Sequence, residues 1–232
     1  MRLYHILFLL LLCGTSITLC AQGAPRTFDL KKGQVFDILL LNYSPDVEAA
    51  KQRYFKEAFP IATKNGYQPG AGFAVKKMPT QGNYHPELLV TGTWPSVTDR
   101  EQGVVALETE LGDFHEQRRA IWSSFNVTYY ELQEDIAFTT DSAKYYVATM
   151  FWSGETKAYA KFLRKWNKAA LEAGGKAMMS LTDGHSPFGY YHNPDFFTIT
   201  EWENEADFNV FLAKDRAIDH AGVRHLNQFS IQ

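Results

Sequence analysis

His85-Pro-Glu-Leu-Leu-Val-Thr-Gly-Thr-Trp94 and Asn193-Pro-Asp-Phe-Phe-Thr-Ile-Thr-Glu-Trp202 share one plan: a proline and an acid, an apolar strand, then a tryptophan. A single offset of 108 (202 − 94) also lays Gly66 on Gly174, Pro86 on Pro194 and Asp99 on Asp207. The chain therefore reads as two copies of one supersecondary unit. Two copies, each long enough for several elements, describe a duplicated compact fold, because a solenoid needs more repeats to bury its core.

Outward from these strands, each copy repeats one order of elements. In the first, an apolar run from Val35 to Tyr43 reads as a strand. Val47, Ala50, Tyr54, Ala58 and Ile61 then recur at helical spacing up to a stop at Asn65-Gly66. A strand from Gly72 to Lys77 and the His85–Trp94 strand follow, and Ser96 with Asp99 opens a second helix in a capping-box-like pair. That helix runs to about Ile121 with a break near Gly112, and Ser124 to Leu132 closes the copy. The second copy gives strand 144–152, helix 154–173, strands 177–181 and 196–202, a helix opened by Asn204, and strand 226–231. At its end Phe125 and Val127 match Phe229 and Ile231 at an offset of 104 (229 − 125).

The order is βαββαβ twice. Such a unit makes a four-stranded antiparallel sheet with both helices on one face. Its bare apolar face needs a cover, and the other copy supplies one. The expected fold class is α+β: two tandem ferredoxin-like βαββαβ units packed sheet to sheet as an intrachain α/β barrel. The first half with its connector (Glu134 to Ser142) spans 22–142 and the second 143–232. Tyr146, Ala148, Met150 and Trp152 share one face of a strand that is apolar on both faces. Asp37, Asn42, Thr93, Thr149 and Thr200 are expected as polar exceptions in the sheet-to-sheet interface, bonded to one another or facing a cavity.

Composition narrows the function. The formal charge of −3 gives no basic face for nucleic acid. Aromatic residues make up 15%, with 17 Phe and 12 Tyr, enough to fill a barrel or line an apolar cavity. Arg2, the apolar run Ile6–Leu12 and Leu19-Cys20-Ala21 form a signal peptide over residues 1–21, cleaved after Ala21. The run is too short for a membrane span, so the expected product is soluble and exported, periplasmic or secreted. Acylation of Cys20 is the alternative, opposed by Leu19 where a lipobox takes a small residue. Cys13 and Cys20 both leave with the signal, which removes thiol and disulfide chemistry from the mature chain. Asn42-Tyr-Ser and Asn126-Val-Thr match the glycosylation sequon, a short motif that matters only in a eukaryotic source.

The element order, the unit length and the strands ending in Trp94 and Trp202 resemble the dimeric α/β-barrel superfamily, fused in tandem from Gln34 to Gln232. The resemblance implies kinship with antibiotic-biosynthesis-type monooxygenases, stress-responsive barrel domains, muconolactone-isomerase-like enzymes and haem-dependent relatives of chlorite dismutase. It argues fold more strongly than function.

Candidate chemistry concentrates in the loop Asp183-Gly-His-Ser-Pro-Phe-Gly-Tyr-Tyr-His-Asn-Pro-Asp195. Two imidazoles, His185 and His192, stand there with Tyr190, Tyr191 and Asp195. His192 could act as a general base oriented by Asp195, or as a haem or metal ligand. The alternative is a plain Gly/Pro/Asn-rich turn with solvated histidines. Trp94 and Trp202 are further candidate ligand contacts. The seven-residue spacing of the two histidines matches no zinc motif, so no metal is expected, and no motif calls for a bound organic cofactor. The leading expectation is an exported binder of a small apolar or aromatic molecule. The alternatives are a cofactor-free monooxygenase- or isomerase-type enzyme and a haem-binding barrel.

Overall fold

A computed structural model describes residues 25–187 and 192–232. The signal segment with Cys13 and Cys20, and Tyr190 and Tyr191, lie outside the described residues. The elements run β1 (Thr27–Leu30), β2 (Val35–Tyr43), α1 (Glu48–Lys64), β3 (Gln68–Ala74), β4 (Leu88–Trp94), α2 (Val97–Glu110), α3 (Phe114–Ile121) and β5 (Trp122–Glu131). They continue with β6 (Ile136–Thr139), β7 (Tyr145–Ser153), α4 (Thr156–Glu172), β8 (Lys176–Thr182), β9 (Phe196–Trp202), α5 (Glu205–Asp215) and β10 (Val223–Ile231).

Two antiparallel four-stranded sheets result, ordered β3-β4-β2-β5 and β8-β9-β7-β10. The order is the same in both, since β2 and β7 each lie second from an edge beside the last strand of their own half. Strand parity sorts the side chains. Phe36, Ile38 and Leu40 of β2 meet Tyr146, Ala148, Met150 and Trp152 of β7 in one core that both sheets share. The opposite faces carry the helices, with Val147 and Phe151 under α4 and α5.

The expected closed barrel is not formed. The sheets stay separate, and the long loop of each half pairs with the last strand of the other at Gln81↔Gln228 and Tyr129↔His185. A further backbone pair, Ala74 to Gln232, ties the β3 and β10 ends. Three points suffice to register the sheets without a continuous ladder between them.

Three other expectations are corrected. The connector holds β6, which pairs with β1 as a small ribbon. Its Phe28 packs on Phe36, Phe73 and Phe138 and covers one end of the shared core. The last strands do not align at 104. Thr128 faces Ile38 in the first sheet, and Phe229 faces Ala148 in the second, which sets the offset at 101 (229 − 128). Finally Asp37, Thr149 and Thr200 sit on the helix-facing side, in parity with Val35, Phe151 and Trp202, rather than between the sheets.

The sequon residues Asn42 and Asn126 lie inside paired strands. The Asn42 amide donates to the His85 carbonyl at 2.9 Å. No helix of the described residues is long and apolar enough to cross a membrane.

Candidate functional site

The layer between the first sheet and α1, α2 and α3 does not close. A cavity of about 470 Å³ runs along β2, floored by Asp37, Leu39, Leu41 and Tyr43. Val90 and Trp94 of β4 and Phe125 and Val127 of β5 extend that floor. The roof is α1 with Tyr54, Phe55, Ala58 and Phe59, joined by Arg100 and Val104 of α2 and Arg118 of α3. Leu39 is the informative residue, because it is the middle of a central strand yet only half-buried. The helix above it places the small side chains of Ala58 and Ala62 toward the sheet, and they fill less of the layer than a larger residue would.

Two polar groups organise one end of this cavity. Asp37 Oδ1 accepts from Arg100 Nε at 2.7 Å, and Asp37 Oδ2 accepts from Trp94 Nε1 at 2.9 Å. The Arg100 guanidinium lies 4.2 Å over the Tyr129 ring. Asp37 and Arg100 are only 6% and 5% exposed, so the pair must satisfy itself, and the indole N–H and the ring supply what water would have given. Tyr67 leans on Trp94 at 5.1 Å. Burial first, then the Asp37 charge, pushes its phenol well above the usual range.

At the other end Tyr54 meets the edge of Trp122 at 5.1 Å, and Arg118 lies 3.6 Å over Phe125. Burial raises the Tyr54 phenol too, with the Arg118 charge opposing it. Both phenols therefore remain O–H donors at neutral pH. The walls are otherwise hydrocarbon. Water inside would find few partners, so an apolar solute gains by replacing it.

The sequence candidates are dispersed. Trp94 lines the cavity, while its counterpart Trp202 is buried among Phe208 and Phe211 and donates to Thr200 Oγ1 at 3.0 Å. His192 lies at the far end of the inter-sheet core, against Trp152 at 5.1 Å and Tyr84 at 5.7 Å, and its carbonyl accepts from Thr128 Oγ1. Burial lowers its pKa to about 4, helped by the nearby His225. His185 is exposed, paired through its backbone with Tyr129 at the β5 edge and stacked on that ring at 5.4 Å. Asp195 Oδ2 accepts from the Ser153 N–H at 2.6 Å. The structure thus brings His192 to Tyr84 and Trp152, and ties Asp195 to β7.

The residues that the sequence reading missed are Ala58, Arg100, Arg118 and Trp122. For the first two a signal is available at the same offset. Ala58 corresponds to Trp166 and Arg100 to Phe208, so the first copy carries small or charged residues where the second carries rings. Among the described residues no group of three His, Cys, Asp or Glu is placed to hold a metal ion.

No family profile and no curated protein matches this sequence. Solved structures do resemble it. Chlorite dismutase from Candidatus Nitrospira defluvii, in complex with imidazole, superposes with a TM-score of 0.52 at 12% identity, covering 88% of this chain and 92% of that one. A substituted form of that enzyme gives 0.51 at 13% identity, covering 88% and 93%. A Lactobacillus acidophilus NCFM protein with a provisional monooxygenase designation reaches 0.41 at 11% identity, covering 87% and 94%, too low to carry an argument. The fold is thus the α+β fold of chlorite dismutase, and at such identities the likeness shows the fold alone.

Proposed function

We propose that this chain binds a small apolar or aromatic molecule in the cavity between α1 to α3 and the first sheet, on tandem ferredoxin-like units and as an exported protein. The cavity itself carries the reading, because a central-strand leucine is left only half-buried beneath a helix that sets the small side chains of Ala58 and Ala62 among its rings. Its volume of about 470 Å³ lies within the usual range of ligand sites.

Two observations favour binding over turnover. A cofactor-free enzyme would need a base beside the substrate, and the carboxylate in this cavity, Asp37, has both oxygens engaged by Arg100 and Trp94. His192 lies in the other layer, between the sheets. Haem, the other possibility, does not fit the donor set. Among the described residues the lining of this cavity offers no imidazole, thiolate or thioether, and the buried phenols of Tyr54 and Tyr67 are driven away from the tyrosinate form that binds iron.

Titration with N-phenyl-1-naphthylamine, a neutral fluorescent aromatic, tests the reading. The expected result is saturable 1:1 binding with enhanced emission, lost when Ala58→Trp fills the cavity. Absence of binding, or binding indifferent to Ala58→Trp, defeats it.

A further inference from the structure

We infer that α4 docks on an anionic lipid surface through the face it turns to solvent. The inference stands apart from the cavity, which lies in the first half. It starts from where the charges of this chain are placed.

The net charge of −3 hides a segregated stripe. Lys157, Lys161, Arg164, Lys165 and Lys168 of α4 are spaced so that, at 3.6 residues per turn, they share about 100° of arc, opposite the buried Phe162, Trp166 and Ala170. All five are exposed. They extend along about 16 Å of helix, and no acid interrupts them before Glu172. The rest of the chain holds 25 acids (26 − 1) against 18 basic residues (23 − 5), so the stripe is set on an otherwise acidic molecule.

Neighbouring acids do not neutralise it. Among the described residues Lys157, Lys161, Arg164 and Lys165 have no ion-pair partner, and Lys168 meets Glu172 at 3.7 Å in an exposed pair that contributes little. Glu155 is engaged at the helix start, where its carboxylate accepts from the Lys157 and Ala158 N–H groups. On α1, the corresponding helix of the first half, Lys51 pairs with Glu48, and Arg53 pairs with Glu57 and Asp113. Like charges on successive turns repel, so the stripe of α4 lowers the stability of its own helix, and its use lies outside the molecule.

Three features select a lipid surface over a polyanionic chain. Four of the five cations are lysines, flexible point charges suited to a plane of smeared charge, whereas individual phosphates are gripped by the planar fork of arginine. The outer face of a helix is convex, and the large apolar side chains exposed among the described residues, Met78, Val105, Leu171 and Val210, include no ring on which an unstacked base could lie. Leu171, 74% exposed, flanks the stripe three residues beyond Lys168, where it can enter the headgroup boundary while the ammonium groups stay in water. The apolar face of α4 is packed on the second sheet, so the helix lies on the surface rather than within it.

The test is cosedimentation with vesicles of phosphatidylcholine alone or with about 30% phosphatidylglycerol, at about 0.1 M salt. Binding is expected to the anionic vesicles alone and should vanish at about 0.5 M salt. Each basic residue near such a surface contributes about fivefold in affinity, so Lys161→Gln with Arg164→Gln and Lys165→Gln is expected to weaken binding about a hundredfold. Arg164→Lys keeps the charge and should keep the affinity. Leu171→Gln is expected to cost about threefold to tenfold. Lys56→Gln with Lys64→Gln, on the exposed face of α1, should change nothing, and an unaltered thermal midpoint of the triple variant shows that its fold is kept. Equal binding to both kinds of vesicle, an unaffected triple variant, or the same loss from the α1 pair overturns the inference. Binding to a short DNA duplex at the same salt, without binding to the anionic vesicles, gives the stripe to nucleic acid and overturns it equally.

Discussion

The two halves share their strand order, their helix starts and their matched tryptophans, yet one holds a cavity where the other is solid. In the second half Trp166 of α4 packs edge-on against Phe151 at 5.4 Å and Phe211 at 5.3 Å, and Phe211 stacks on Trp202 at 4.9 Å. The corresponding positions of the first half are Ala58, Leu41 and Gly103. Gly103 admits Trp94, since a Cβ there would lie 2.3 Å from the indole. Ala58 leaves the remaining space open. Polarity follows volume: Asp37 and Arg100 replace Val147 and Phe208, a buried ion pair where the second half has hydrocarbon. One layer is thus packed solid, and the other gives up packing for a cavity. That division also explains why the closed layer can carry the open one, because both sheets share a single core.

The largest effect should come from undoing the solid layer. Trp166→Ala is expected to cost about 3–5 kcal/mol, as for other large-to-small aromatic changes in a core. It should also create a second site for N-phenyl-1-naphthylamine, read as a stoichiometry rising from one towards two. A stability loss with no second site would mean that the layer collapses onto the gap, and that more than Trp166 distinguishes the halves.

Next comes the buried pair. Arg100→Ala leaves Asp37 buried and unpaired, and denaturant unfolding should show a loss of about 3–5 kcal/mol. Converting both residues to those of the second half, Asp37→Val with Arg100→Phe, should recover most of it, because a well-packed apolar pair avoids the desolvation cost. If the double variant is as unstable as the single one, the pair contributes more than its replacement could.

Much of this contrast is already written in the sequence, though not where chemistry is usually sought. The offset of 108 locates the strands, and the alternation along Tyr145 to Trp152 separates the two faces of β7, although it does not tell which one meets the helices, so Thr149 is expected on the wrong side. β3 is displaced to Gln68–Ala74 because Pro69 to Gly72 takes a bulge, which a pattern of glycines hides. The β1–β6 ribbon escapes because four-residue strands pair over a separation of more than a hundred residues. The cavity escapes for a different reason. Loops rich in His and Tyr advertise themselves, whereas a space is marked only by small residues such as Ala58, which look like ordinary helix formers until set against Trp166.

The loops supply a smaller asymmetry. Tyr84 and His192 occupy matched positions and touch across the end of the shared core at 5.7 Å, and the second of them is an imidazole pressed into an apolar setting. Its folded pKa is about 4. Below about pH 6.5 the unfolded chain takes up a proton that the folded His192 refuses, so stability should fall as pH drops from about 6.5 to about 4. The loss over that window is on the order of 2–3 kcal/mol. His192→Gln should flatten this part of the profile, measured by urea unfolding at pH 7 and pH 4.5. An unchanged slope in the variant would assign the dependence to other groups.

The smallest difference tests what the halves have in common. Ser96 caps α2 by accepting from the Asp99 N–H at 3.1 Å, and Asn204 caps α5 by accepting from the Asp207 N–H at 3.0 Å. Alanine at either position should cost about 1 kcal/mol, the usual worth of such a cap, because the lost bond is the same. The consequences for binding should nevertheless differ. Four residues after Ser96, α2 carries Arg100 to the wall of the cavity, whereas α5 carries Phe208 into a layer without a site. Ser96→Ala should therefore weaken N-phenyl-1-naphthylamine by a small factor, about twofold, while Asn204→Ala, equally destabilised, leaves the affinity unchanged. Equal effects on affinity would show that loss of stability alone governs binding, and would remove the grounds for assigning the site to the first half.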